Sequence, residues 1–193
     1  MKTRLIKFLR FFLIIFVLLL LIPQKKQNYK CFDFNFNWKF SITNDTLAYK
    51  INYDDSNWQK IDLPHDWSIY GSFSESHPTT YNQGALPAGI GWYRKYFNIK
   101  YNPKKDIVYI RFDGIFKNST VWVNENFCGT RPSGYISFYY DITKFLNKNG
   151  KNLISVKVDN SLQPNSRWYT GNGIYRNTYL IVKNKIHIIP WGI

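Results

Sequence analysis

Aromatic and guanidinium side chains crowd into one polar, glycine-containing segment of the chain, residues 165–177. Arg167 and Trp168 are adjacent there, and Tyr169, Tyr175 and Arg176 follow closely. A Trp ring offers an apolar face to the axial C–H groups of a pyranose, and an Arg guanidinium offers a fixed fork of donors to sugar hydroxyls. The segment therefore indicates a carbohydrate contact.

A structural role for the same segment stays open on the residues alone. Trp168 and Tyr175 would then close one end of the fold, and Arg167 or Arg176 would pair with a carboxylate such as Asp159. Loops near water are usually small and polar, so either role must explain why this one is not.

The acidic residues argue against catalysis by this chain. Of 12 acidic residues only Glu75 and Glu125 are Glu; the first lies in a loop and the second at a predicted hairpin tip. Glycosidases need two carboxyl groups about 5 Å or about 6.5–9.5 Å apart. Several Asp residues have turn or capping explanations. We predict no catalytic residue.

His65, Asp66 and Ser68 are the three residue types of a hydrolase catalytic triad. Neighbours on an extended segment point to opposite faces, so His65 and Asp66 cannot form the required relay. The three histidines lie far apart, and no pair of ligands has metal-site spacing. No glycine-rich phosphate loop opens a helix. We therefore predict neither a metal nor a cofactor.

Residues 1–30 are predicted to be a signal peptide or an uncleaved signal anchor, with a hydrophobic helix that could tether the chain to a membrane through residues 5–22. Residues 1–10 are positive, and residues 11–22 form an unbroken apolar run. That run suits a signal core better than a full span of about 20 residues, but no small-residue cleavage motif follows it. In either case the body is expected to be exported: periplasmic, extracellular or membrane-anchored.

The net charge of +14 is unevenly distributed. Residues 1–30 hold seven Lys or Arg and no acid, which leaves 26 − 7 = 19 basic against 12 acidic residues, or +7, for the remainder. Those 19 are scattered among strand-like segments, so we predict no nucleic-acid partner. Cys31 and Cys128 could pair in an oxidising compartment or remain two free thiols, and both alternatives stay open.

From residue 38 onward the pattern predicts short strands separated by turns. Val108, Ile110 and Phe112 alternate on one face of a strand, residues 119–129 suggest a hairpin, and residues 141–146 suggest a single helical turn. The other predicted strands are 93–99, 135–142, 153–160 and 178–184. This spacing predicts an all-β fold, an antiparallel β-sandwich of jelly-roll type, over residues 31–183.

Residues 184–193 are expected to begin a second domain. After Lys185 a new apolar strand is predicted over residues 186–191, and the sequence stops there with no partner strand to follow. On this basis the chain is expected to be truncated.

Several segments, read in order, resemble the N-terminal sugar-binding domain of glycoside hydrolase family 2, in its β-galactosidase-like branch. The similarity spans roughly residues 38–183. The segments are DSNW (55–58), DLPHDW (62–67), GWYRK (91–95), FDG (112–114), VWVN (121–124), VKVDN (156–160), SRWYTG (166–171) and GIYR (173–176).

The resemblance implies a jelly-roll sandwich at the front of a multidomain exo-glycosidase. In that family both catalytic Glu residues lie on a later (β/α)₈ barrel, so the implied partners are immunoglobulin-like and barrel domains of the same enzyme. It also implies that Asp66, Arg167 and Trp168 line the rim of a pocket for a terminal β-galactosyl-type sugar. One branch of the family has a carboxylate near a monovalent cation at the positions of Ser166 and Arg167. The resemblance therefore implies no cation site in this chain. Two alternatives stay open: a free-standing carbohydrate-binding module, or a structural domain for a separately encoded barrel.

Overall fold

The computed structural model describes residues 29–192. The predicted signal or anchor helix and the tether at residues 5–22 lie outside these residues. Within 29–192, no helix combines the length and the apolar character that crossing a bilayer requires.

The described chain is an all-β structure of two antiparallel sheets, as the alternating pattern predicted. One sheet has the order β1-β10-β5-β8 and the other β3-β2-β4-β9-β6-β7. The strands are β1 (Lys30–Asp33), β2 (Trp38–Ile42), β3 (Gln59–Ile61), β4 (Gly89–Phe97), β5 (Asp106–Phe112), β6 (Ser119–Val123), β7 (Asn126–Arg131), β8 (Phe138–Asp141), β9 (Asn152–Asn160) and β10 (Thr178–Asn184).

The core lies between the two sheets. Val108, Ile110 and Phe112 of β5 are fully buried there, which confirms the predicted inward face of that strand. Facing side chains of β9, including Val156 and Val158, are also fully buried. Successive side chains of a strand point to opposite faces, so the alternating apolar residues of these strands all face the other sheet.

The β6–β7 hairpin is also confirmed. Asn124 and Glu125 form a two-residue turn in which both have positive φ, 47° and 66°. Such turns match the right-handed twist of the flanking strands. The predicted helical turn is a 3₁₀ helix, Thr143–Phe145, and two further 3₁₀ helices, Trp67–Tyr70 and Tyr81–Gln83, were not predicted.

The predicted apolar strand over residues 186–191 is wrong. These residues form bends and a turn, and Ile186, Ile188 and Ile189 are exposed. β10 has β1 on one side and β5 on the other, and residues 186–191 extend past its end without pairing with either sheet. Residues 184–193 as the start of another domain therefore remain a prediction.

A buried ion pair anchors the loop 43–58 to the outer face of the larger sheet. Arg94 of β4 is fully buried; its Nε donates to Asp55 at 2.7 Å and its Nη1 to the carbonyl of Lys50 at 2.8 Å. Lys39 Nζ also donates to Asp55, at 2.6 Å. Burial opposes ionisation of Asp55, but the hydrogen bonds from Lys39 and Arg94 outweigh it and hold its pKa below the usual value.

We predict that Asp55→Asn lowers the free energy of unfolding by about 3–5 kcal/mol, because it leaves the buried Arg94 charge without its counter-ion. Chemical denaturation measures the change. The matched control is Asp54→Asn, since Asp54 is exposed and its main contact, the amide of Ser56, is kept. Equal stability of the two variants would contradict this account.

Candidate functional site

The loop 161–177, which joins β9 to β10, is fixed to the sandwich by main-chain hydrogen bonds. Gly173 and Phe116 exchange a pair of such bonds, both 2.9 Å long. On the other side of the loop, the amide of His65 donates to the carbonyl of Ile174 at 2.9 Å, and the amide of Trp67 donates to that of Asn172 at 3.2 Å. The loop is thus held between two neighbouring segments.

Gly173 is required where these segments meet. Its φ is +114°, and a Cβ there would lie 2.2 Å from the hydroxyl oxygen of Tyr93 and 2.7 Å from the carbonyl of His65. No side chain fits such a distance, and the backbone conformation favours glycine. The glycines of this segment therefore serve close packing of the loop.

A network of side-chain amides holds the part of the loop that precedes Gly173. Asn160 Nδ2 donates to Asn172 Oδ1 at 2.6 Å, and Asn165 Nδ2 donates to Asn160 Oδ1 at 2.6 Å. Asn172 Nδ2 also donates to Ser68 Oγ. Each amide bond replaces hydrogen bonds to water that burial removes, so the polar loop can lie against the core.

Asp66 supports the loop from behind. Its carboxylate caps the 3₁₀ helix Trp67–Tyr70 by accepting from the amide of Ser68 at 3.0 Å, and it accepts from the amide of Asn172 at 2.9 Å and from the hydroxyl of Tyr169. Burial raises the pKa of Asp66, against the opposing effect of these donors. Its oxygens are used by the protein itself, so the geometry makes Asp66 a positioning residue.

Arg167 and Trp168 instead line an open cleft of about 740 Å³ between the loops 132–135 and 165–170. Trp168 is 65% exposed and Arg167 is exposed too. Lys117 and Tyr135 contribute to the same lining. The structure thus brings two of the three predicted site residues into one cleft, whereas Asp66 is not in its lining and contacts Tyr169 and Asn172.

The alternative in which this segment plugs the sandwich does not fit the geometry. Trp168 is too exposed to close the core, and Tyr175 is only partly buried, with its hydroxyl donating to the carbonyl of Gly134 at 2.7 Å. Within residues 29–192, no carboxylate lies within 4.0 Å of the Arg167 or Arg176 guanidinium. Asp159, the suggested partner, lies 3.6 Å from Lys157.

Tyr135 and Lys117 were missed as site residues. Tyr135 is 60% exposed and meets Phe116 edge-on, with ring centroids 5.4 Å apart. Both residues stand far from the loop 165–170 in sequence, and long-range contacts such as the pairing of Phe116 with Gly173 and the bond from Tyr175 to Gly134 bring the segments together. The only hint in the sequence was an aromatic residue in a predicted turn, Tyr135 after Gly134.

The other residues that could carry chemistry in the described part of the chain do not form a second site. Glu125 accepts from the amide of Ile51 at 2.7 Å and lies 3.5 Å from Lys50. Residues 29–192 contain no group of three or more His, Cys, Asp or Glu placed to hold a metal ion. Cys31 and Cys128 are both free thiols here, on edge strands of different sheets.

His65 is the buried titratable group next to Asp66. Its Nδ1 lies 2.9 Å from the hydroxyl of Tyr93, and its ring packs against Phe40 and Tyr70, with centroids 4.6 Å and 5.6 Å away. Burial lowers the pKa of His65 to about 4. The imidazole is therefore neutral at physiological pH and belongs to the packing under the loop.

Fold and site together define a class: an all-β sandwich domain that presents an open, aromatic and basic cleft between its end loops. The family model described as the sugar binding domain of glycosyl hydrolases family 2 matches residues 32–184. The chain belongs to this family.

Individual relatives agree with this assignment. The chain is 46% identical over 160 residues to β-galactosidase BoGH2A of Bacteroides ovatus, which covers 83% of this chain and 19% of that protein. A β-galactosidase of Thermoanaerobacter pseudethanolicus is 32% identical, covering 81% of this chain and 21% of that protein. The chain thus spans about a fifth of the length of these relatives.

Solved structures show the same relation. A β-glycosidase from Bacteroides vulgatus superposes with a TM-score of 0.76 at 46% identity, over 80% of this chain and 20% of that one. A Bacteroides uniformis β-glucuronidase superposes with a TM-score of 0.69 at 30% identity, over 80% and 18% of the two chains.

The buried His65 predicts acid sensitivity. The unfolded chain protonates His65 near pH 6.5 and the folded chain only near 4. Between these values the unfolded state binds more protons, so stability falls as pH drops from about 6.5 to 4, by up to about 3 kcal/mol in total. The free energy of unfolding of the wild type should fall as the pH drops across this range. That of His65→Gln should fall less, because the variant lacks this contribution. Parallel curves would contradict the assignment.

Proposed function

We propose that the cleft between loops 132–135 and 165–170 contacts a terminal sugar, with Trp168 and Arg167 as the main binding residues. The observation that carries this proposal is an exposed Trp beside an Arg with no carboxylate partner in the described chain, in a family-2 sugar-binding domain. An exposed aromatic face stacks on pyranose C–H groups, and unpaired donors are free for hydroxyls.

The proposed ligand is a terminal β-galactosyl-type residue. Relatives that share most of this chain's length are named β-galactosidases, which supports the choice. Others are named β-glucuronidases, and the cleft carries two cationic side chains, Lys117 and Arg167. Those cations favour a uronic acid as the second candidate, because its carboxylate would pair with them.

Asp66 has an indirect part in this proposal. Since it accepts from Tyr169 and from the amide of Asn172, it fixes the backbone on which Arg167 and Trp168 stand. We therefore assign Asp66 to positioning of the rim and not to sugar contact.

The proposal places hydrolysis outside this chain. Glu75 is exposed in a loop and Glu125 is held by Ile51 and Lys50, so neither stands at the cleft. The proposed partners are immunoglobulin-like and (β/α)₈ barrel domains of a complete enzyme, whose barrel would supply both catalytic Glu residues and the other pocket walls.

Export and the finer fold type are part of the same proposal. We propose that the sandwich is of the jelly-roll type, with residues 1–30 directing export or tethering the protein through residues 5–22. The positive residues 1–10 followed by the apolar run 11–22 support this.

A free-standing carbohydrate-binding module is the second candidate function. The openness of the cleft favours it, because Trp168 and Tyr135 are reachable without any other domain. It ranks second because one open wall buries little of a small sugar, and ligand pockets usually enclose most of their ligand.

Calorimetry on the purified chain tests the binding proposal with galactose, lactose and glucuronic acid. We predict weak, millimolar binding that Trp168→Ala reduces by about tenfold, as expected for losing a stacking contact worth roughly 1–1.5 kcal/mol. The matched control is Phe127→Ala, an exposed aromatic on β7 outside the cleft, which should change nothing. Binding that is absent, or equal in the two variants, would reject the sugar contact.

An activity assay tests where hydrolysis resides. The purified chain is expected to release no chromophore from aryl β-galactosides or aryl β-glucuronides, because no carboxyl pair stands at the cleft. Turnover that is clearly above a blank and that survives repurification would overturn this part of the proposal while leaving the binding result intact.

A further inference from the structure

The end of the sandwich opposite the sugar cleft carries a concentration of lysines. β4 ends at Phe97 beside Asn152 of β9, so the loops 98–105 and 146–151 meet there. The amide of Lys185 donates to the carbonyl of Lys105 at 2.7 Å, and β1 begins at the same end, where Lys30 pairs with Val182. We name this surface the basic end and define it by Lys30, Lys100, Lys105, Lys148, Lys151 and Lys185, all exposed.

These charges have no internal partners. Within residues 29–192, no carboxylate lies within 4.0 Å of any lysine of the basic end. The acids near this end make other contacts: Asp106 accepts from the amide of Asn102 at 2.7 Å, Asp141 accepts from the amide of Thr143 at 2.9 Å, and Glu125 pairs with Lys50. Lys39 and Lys157, elsewhere in the fold, do have carboxylate partners. The six lysines outnumber these acids, so the basic end presents a net positive field.

The basic end also has a recess in which an anion could sit. A cleft of about 680 Å³ is lined by Lys100, Lys148 and Lys151, together with Tyr96. The Nζ of Lys151 lies 4.0 Å from the centroid of the Tyr96 ring, which holds that ammonium group at the mouth of the cleft. Three ammonium groups around one recess suit a phosphate group.

The path of the chain indicates which anion meets this surface. The described chain starts at the basic end, and the sequence just before it contains Lys25, Lys26 and the apolar run 11–22, the predicted tether. Eight residues separate position 22 from position 30, a reach of about 28 Å at full extension. A bilayer that held the run would therefore lie within about 28 Å of the start of β1, at the basic end. Tyr29 and Ile186, 51% and 89% exposed, add amphipathic and apolar surface there.

We propose that the basic end docks onto anionic phospholipid headgroups and so orients the sugar cleft away from the bilayer. The headgroup phosphates would pair with Lys100, Lys148 and Lys151, and the remaining lysines would add longer-range attraction. This surface is independent of sugar binding, because it lies at the other end of the strands.

The test uses the full chain reconstituted into vesicles of phosphatidylcholine alone and of phosphatidylcholine with phosphatidylglycerol. Acetylation of individual lysines is followed by mass spectrometry. On the anionic vesicles we expect the rates at Lys105, Lys148 and Lys151 to fall roughly fivefold, the effect of one favourable contact per lysine. Lys117, at the opposite end of the strands, serves as the internal reference and should keep its rate. Added salt should abolish the protection.

A variant pair separates a docking surface from general attraction by net charge. The triple variant Lys100→Gln, Lys148→Gln, Lys151→Gln should lose the protection of Lys105. The triple variant Lys60→Gln, Lys157→Gln, Arg176→Gln removes the same charge elsewhere and should retain it. Both variants must bind the same sugars as the wild type, which keeps this result separate from the cleft proposal.

Three outcomes would overturn the proposal. One is equal labelling on the two kinds of vesicle. Another is equal loss of protection in the two triple variants. The third is protection on neutral vesicles by a DNA duplex or a sulfated polysaccharide with none from phosphatidylglycerol, which would assign the surface to a soluble polyanion.

Discussion

The geometry of the end that carries the cleft depends on the close approach of Gly173 to its neighbours. Its backbone exchanges two hydrogen bonds with Phe116 and packs against the hydroxyl of Tyr93. A side chain at this point would push the loop 161–177 away from both segments. Residues of the loops 132–135 and 165–170, far apart in sequence, line one cleft beside this contact.

The polar residues around this contact divide into two sets. Asp66, Asn160 and Asn172 satisfy one another and the backbone, so they form the support of the loop. Arg167 and Trp168 make no comparable bonds through their side chains and face solvent. A rigid base under exposed side chains is what binding requires, since little conformational entropy is then lost on contact. The same buried base includes His65, whose pKa is lowered by burial to about 4.

The strands also separate the two proposed surfaces. β4 and β9 run from the sugar-facing end, at Gly89 and Asn160, to the basic end, at Phe97 and Asn152. A sandwich of this kind holds its two ends at a fixed distance and orientation. Tethering at one end and sugar contact at the other are therefore compatible in one small domain.

The sequence by itself determined the class of fold, most strands and the loop that carries Arg167 and Trp168, because period-2 alternation, turn residues and local composition act over a few neighbours. It failed at residues 186–191, where an apolar run suggested a strand but the chain pairs with neither sheet. It also could not show what Asp66 contacts. Only the tertiary structure revealed those contacts, since Tyr169 and Asn172 lie more than 100 residues away in sequence. Long-range contacts of Phe116 with Gly173 and of Tyr175 with Gly134 likewise place Lys117 and Tyr135 in the cleft.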